Sequence, residues 1–280
     1  MIGPSIIARS LTTPTINDQY GNTWQYHSRS DRHSKIACWA TLFDLLRECP
    51  VLLEHVSAGA LSFGINHKMR DFAQNRRKTL DLVLCTPGPG APAVSFASLV
   101  GKYGIVLSTE ERRFLDTLPD LRSQSVGTVR VALEAKACMT EHSKARPRLY
   151  DELNSSHMTI HGDTNIAIAV ASVLINHADR FRSPDRNRHK LTASNVVEVS
   201  HSQPNSSARV IEKVEQIRRR SSVDAVGFDA LSIILVDCRN DGSRVSLVTE
   251  NPAPPEDSIF SYEQTVRRVC ELYQFRFGRV

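Results

Sequence analysis

The sequence lacks the marks of several large protein classes. Six cysteines are present (Cys38, Cys49, Cys85, Cys138, Cys238 and Cys270), but none form a Cys-x-x-Cys pair or a close cluster with histidine. That spacing argues against a zinc or disulfide framework and for buried, reduced thiols. No apolar run approaches the roughly 18 residues of a membrane span, and no charged-then-apolar secretory start is present. The expectation is a soluble, cytoplasmic protein of a reducing compartment, with no membrane partner. No Gly-x4-Gly-Lys-Ser/Thr loop occurs, so energy-driven activities belong to some other chain. No internal repeat is found.

Enough apolar residues remain, 41% of 280, to build a substantial core. Lysine and arginine number 35 against 30 acids, a net charge of +5, which tilts only mildly toward a polyanionic partner.

Residues 1–33 are polar and weakly patterned, and read as an N-terminal arm. Ser34 can cap a helix through Cys49, whose broad apolar face includes Ile36, Trp39, Leu42, Phe43 and Leu46. Pro50 ends it or begins a short second helix over 51–58. Strands are expected at 67–72, 79–85 and 128–138. The Pro- and Gly-rich stretch Thr86–Pro92 cannot continue a sheet. Ser108-Thr109-Glu110-Glu111 is a helix start for 108–118. A further helix opens at Thr140-Glu141 and resumes past Pro147. Residues 166–175 are apolar throughout, as in a strand buried on both faces, although their alanines also permit a helix. Beyond a solvated loop at 179–209 come a basic amphipathic helix (207–220) ending in Arg218-Arg219-Arg220, strands near 225–237 and 243–249, and a last helix at 261–274.

Two of these strands carry acids. Asp81 lies within Leu80–Leu84, and Glu134-Ala135-Lys136 ends the run that begins at Val129. A carboxylate in an apolar strand is costly without a partner. Strand alternation sets Glu134 and Lys136 on one face. If the strand of Asp81 lies alongside, two carboxylates and one amine converge.

An acid on the second strand and Glu-x-Lys on the third, after an opening helix, resembles the PD-(D/E)xK nuclease superfamily, over roughly residues 34–178. Leu80 stands where that family's name places proline, and 86–127 is an insertion. The resemblance implies an α/β (α+β) fold, a restriction endonuclease-like mixed central sheet flanked by helices, with residues 179–280 as an additional C-terminal strand/helix region packed on the core.

It also implies a Mg²⁺-dependent endonuclease, with Mn²⁺ as a substitute, that hydrolyses DNA phosphodiester bonds. A restriction or host-defence role would follow, with a homo-oligomer to cut two strands and an activating partner or signal. Asp81, Glu134 and the carbonyl of Ala135 would hold the metal, which polarises phosphate and acidifies a bound water. Lys136 would orient or deprotonate that water, its pKa depressed by partial burial beside a cation. The family often draws a further acid from the first helix; Glu48 and Glu54 are candidates, with Glu54 preferred as nearer the first strand. His142, Lys144, Arg146 and Arg148 follow the motif and would contact flanking phosphates. The alternatives are a non-catalytic nucleic-acid-binding or assembly subunit, and an RNase or exonuclease. His157 and His161 lack the partners of a metal pair.

Overall fold

A computed structural model of the chain describes residues 1–72 and 74–278. In chain order its elements are α1 (Gly3–Thr12), the short ribbon β1 (Ile16–Asn17) and β2 (Thr23–Trp24), α2 (Arg32–Glu48), α3 (Pro50–Ser57), β3 (Ser62–Asp71), β4 (Arg76–Pro87), α4 (Leu99–Tyr103) and α5 (Thr109–Thr117). They continue with β5 (Val126–Cys138), α6 (His142–Asp163), β6 (Ile168–Asn176), β7 (Arg180–Arg182), β8 (Glu198–Ser200), α7 (Asn205–Glu215), β9 (Ala230–Asp237), β10 (Ser246–Val248) and α8 (Tyr262–Phe277).

The architecture is mixed α/β, a central six-stranded sheet in the order β10-β9-β6-β5-β4-β3 with helices on both faces. β3, β4 and β5 run antiparallel; β5, β6 and β9 run parallel. Parallel strands need cover on both sides, and every residue of β6 is accordingly buried. The helical option for this alanine-rich run is thereby settled by its neighbours β5 and β9. Residues beyond 178 are not peripheral: β9 and β10 extend the main sheet, and α8 packs against β9.

On one face lie α1, α2 and α8. Trp39 of α2 stacks between Phe43 and Phe96, each 4.8 Å away, and its indole N–H donates to the Phe96 carbonyl. Residues 1–33 are not a detached arm, because α1 buries Ile6, Ile7 and Leu11 in this same layer. On the other face, α6 contributes Leu149, Leu153 and Ile160, and α7 contributes Val210 and Val214. The helix start at Ser108 takes the form of a capping box: Ser108 Oγ accepts from Glu111 N–H, and the Glu111 carboxylate accepts from Ser108 N–H. All six cysteines are free, five of them buried. Among the described residues no helix is long and apolar enough to cross a membrane.

Candidate active site

β4 and β5 are neighbours, and their register pairs Leu82 with Leu133. One step along each strand lie Asp81 and Glu134. The backbone N–H of Ala135 donates to Asp81 Oδ2 at 3.0 Å. The strands are irregular here, since Asn66, across from Asp81 on β3, takes a left-handed backbone with φ 53°.

Each carboxylate is met by its own lysine. Asp81 Oδ1 accepts from Lys35 Nζ at 2.7 Å and from Ser34 Oγ at 2.9 Å, both in the first turn of α2. Lys35 is also held by Asn66 Oδ1. Glu134 points to α6, where its Oε1 accepts from Lys136 Nζ at 2.9 Å and Ser156 Oγ at 3.3 Å. Lys136 also lies 3.5 Å from Glu152, whose other oxygen receives Arg148. In this state the two carboxylates therefore sit side by side along the strands but turn toward different helices.

Their electrostatics differ. Burial works against ionising Asp81, but Lys35, the Ala135 N–H and Lys136 outweigh it and hold the carboxyl below its ordinary range. Glu134 is only 1% exposed, and burial wins there: with the Asp81 charge adding to it, its pKa rises despite Lys136. Its Oε2 is buried with no hydrogen-bond partner among the described residues. For Lys136, burial pulls downward, yet Glu134 and Asp81 prevail and keep it protonated. The depression expected of Lys136 belongs to a lysine beside a cation, whereas the charges nearest to it here are carboxylates.

Asp81, Ala135 and Lys136 open onto a cleft of about 570 Å³. Its walls come from the start of α2, the first turns of α6, and two segments whose part was not evident in the sequence: residues 26–31 and the turn at Ser183–Arg186. Lys144 and Arg148 stand on the rim, Lys144 77% exposed and paired with Glu141.

Other expected site residues lie elsewhere. Glu48 ends α2, roughly 20 Å along the helix axis from Ser34; Glu54 is exposed on α3, past that end, and neither acid lines the cleft. Helix direction is the reason: the start of α2, not its end, meets the acid. His142 is buried, and its Nε2 donates to the Asn176 carbonyl at 2.8 Å, so that N–H is already used. Arg146 faces a separate hollow. Of the basic hairpin, Lys78 turns inward to the Glu152 carbonyl. Arg220 is no solvated helix end but a buried partner of Asp229. His157 and His161 bond Asn154 and Gly227 separately.

A hard divalent ion suits part of this donor set. No group of three or more His, Cys, Asp or Glu able to hold a metal lies among the described residues. Mg²⁺, however, is commonly held by one or two carboxylates, with waters and substrate phosphates completing its octahedron. The orphaned, buried oxygen of Glu134 is the observation in favour, since a cation would give it the partner it lacks. Compared with protein-family models, curated proteins and solved structures, the chain matches none.

Proposed function

We propose that this chain is a metal-dependent nuclease of the restriction endonuclease-like class, acting on DNA phosphodiester bonds with Mg²⁺ and tolerant of Mn²⁺. One observation carries the reading. Asp81 on β4 and Glu134-Ala135-Lys136 on β5 lie on adjacent strands, tied by the Ala135 N–H, with Asp81, Ala135 and Lys136 opening onto the cleft and Glu134 buried behind them. Asp81, Glu134 and the Ala135 carbonyl would hold the ion, which when bound polarises the phosphate and lowers the pKa of an attacking water.

The chain's own residues supply the remainder. Lys136, kept protonated by Glu134, offsets charge that develops on the phosphate oxygens. Lys35, fixed between Asp81 and Asn66, balances the Asp81 charge and orients its carboxylate. Ser156 steadies Glu134 from α6. Lys144 and Arg148 on the rim favour the approach of a polyanion. A homo-oligomer would supply one such site per strand of a duplex, and a host-defence role fits an enzyme of this kind.

The test is incubation of purified protein with circular DNA, linear DNA and RNA in Mg²⁺, with and without EDTA. Metal-dependent cleavage of DNA that Lys136→Ala abolishes is the expected result. Binding without cleavage by every form would favour a non-catalytic nucleic-acid subunit instead.

A further inference from the structure

A second hollow of about 280 Å³ lies on the other side of the α6 start, between it and the start of α7. It is smaller than the roughly 300–1,000 Å³ pockets that enclose drug-sized ligands. Its walls hold the guanidinium groups of Arg146 and Arg209, the hydroxyls of Ser143, Ser202 and Ser206, one asparagine, and no carboxylate. Among the described residues neither arginine makes an ion pair or a side-chain hydrogen bond, whereas Lys144 and Arg148 in the cleft are both paired with acids. Two cations without an acidic partner on one concavity favour an anion there.

The backbone adds to the same field. α6, of 22 residues, begins without a side-chain cap, and α7, of 11 residues, begins at the same hollow; both direct the positive ends of their dipoles there. His142 closes one wall, 4% exposed; its Nε2 donates to the Asn176 carbonyl, which leaves Nδ1 an acceptor that adds nothing to anion binding, so the arginines and hydroxyls carry the site.

Paired guanidiniums with hydroxyl donors match the tetrahedral oxygens of a phosphate group. We infer that this hollow binds a phosphate of the nucleic-acid strand whose reacting phosphate lies in the neighbouring cleft, an inference that rests on the nuclease reading. The first turn of α6 divides the two: Lys144 and Ala145 line the cleft, Ser143 and Arg146 the hollow. A strand leaving the cleft therefore crosses this turn and delivers its next phosphates to Arg146 and Arg209. The same chemistry would accept free phosphate, so the source has to be separated by experiment.

Binding of a labelled single-stranded oligonucleotide would be followed by fluorescence anisotropy over a range of salt, without divalent metal. Arg146→Ala with Arg209→Ala should weaken binding about ten-fold and reduce the salt slope by about 1 to 2, one phosphate contact per arginine. Arg209→Glu alone, at an exposed position, should give a similar loss without disturbing α6. Unchanged affinity and slope in both variants would overturn the inference. In a second arm inorganic phosphate is the ligand, measured by calorimetry. Arginine-dependent binding of phosphate, with oligonucleotide binding unaffected, would overturn the strand as its source. Wild-type protein that binds the oligonucleotide through these arginines, yet leaves DNA uncut in Mg²⁺, would remove the nuclease reading and leave the phosphate site standing.

Discussion

Two groups of buried acids lie within one sheet, and they are built on different plans. Asp229, 3% exposed at the start of β9, has both oxygens engaged: Arg276 meets Oδ1 at 2.6 Å, and Arg220 and the Ala169 N–H meet Oδ2. Its cations are arginines, and no cleft reaches it among the pockets described above. Asp81 and Glu134 are matched instead by lysines, Asp81 opens onto a cleft, and the buried Glu134 leaves one oxygen without a partner. Arginine forks fix geometry, whereas lysine is a point charge that can move aside. The first group holds the fold together at the cost of burying three charges. The second leaves the Glu134 Oε2 without a partner, the feature on which the proposed metal site rests.

The comparison is broken most directly by isosteric neutralisation. Asp81→Asn or Glu134→Gln should lower Mg²⁺-dependent cleavage by about three orders of magnitude, because a lost metal ligand removes several kcal/mol of charge stabilisation. Asp229→Asn should leave turnover per folded molecule near wild type. Steady-state assays normalised to the folded fraction check both; full activity in Glu134→Gln would end the distinction.

Stability should show the reverse ranking. Asp229→Ala leaves Arg220 and Arg276 buried without their shared acid, which should cost about 3–5 kcal/mol. Denaturant unfolding measures this. A loss below 1 kcal/mol, on the scale of exposed ion pairs, would mean the triad is no structural clamp.

How much of this was readable from the residues follows the same division. The acid-bearing strands, their order and the Ser108 cap are local patterns, and the sequence carries them openly. The partners of the acids are not local. Lys35 reads as an ordinary helix cation, and only tertiary packing sets it against Asp81, 46 positions away. Glu54 was attractive by chain position, but it follows the far end of α2, whose start is what meets Asp81. Arg220 shows no partner in the sequence because its acid lies across a turn. α1 did carry usable signals: Pro4 in its first turn, and Ile6, Ile7 and Leu11. His142 sat beside basic residues in sequence, yet its ring is buried while Ser143 and Lys144 next to it are exposed.

Acid should weaken the fold in a defined window. His142 and His157 are buried, and burial lowers both to about 4. Their pKa in the unfolded chain is about 6.5. A depressed folded value means the stability they contribute is present above about 6.5 and is lost as pH falls toward 4, where only the unfolded chain takes up protons freely. Each contributes on the order of 3 kcal/mol across that span. Melting temperature should therefore fall from pH 7 to 4.5, and His157→Phe should reduce the fall. An identical pH profile in that variant would show that His157 is not responsible.

The smallest effect sharpens the comparison furthest. Glu134 has its folded pKa raised, chiefly by burial, so ionising it costs folding free energy. The sign is opposite to that of the histidines: what the group contributes is present below its unfolded pKa of about 4.3 and is lost as pH rises through the folded value. At neutral pH, Glu134→Gln removes that cost and keeps the shape. The Lys136 it leaves behind is 25% exposed and still has Glu152 at 3.5 Å, so it is not stranded. Stability should then change by less than about 1 kcal/mol, or increase, while cleavage collapses. A loss of several kcal/mol, like that expected for Asp229, would place Glu134 among the clamps.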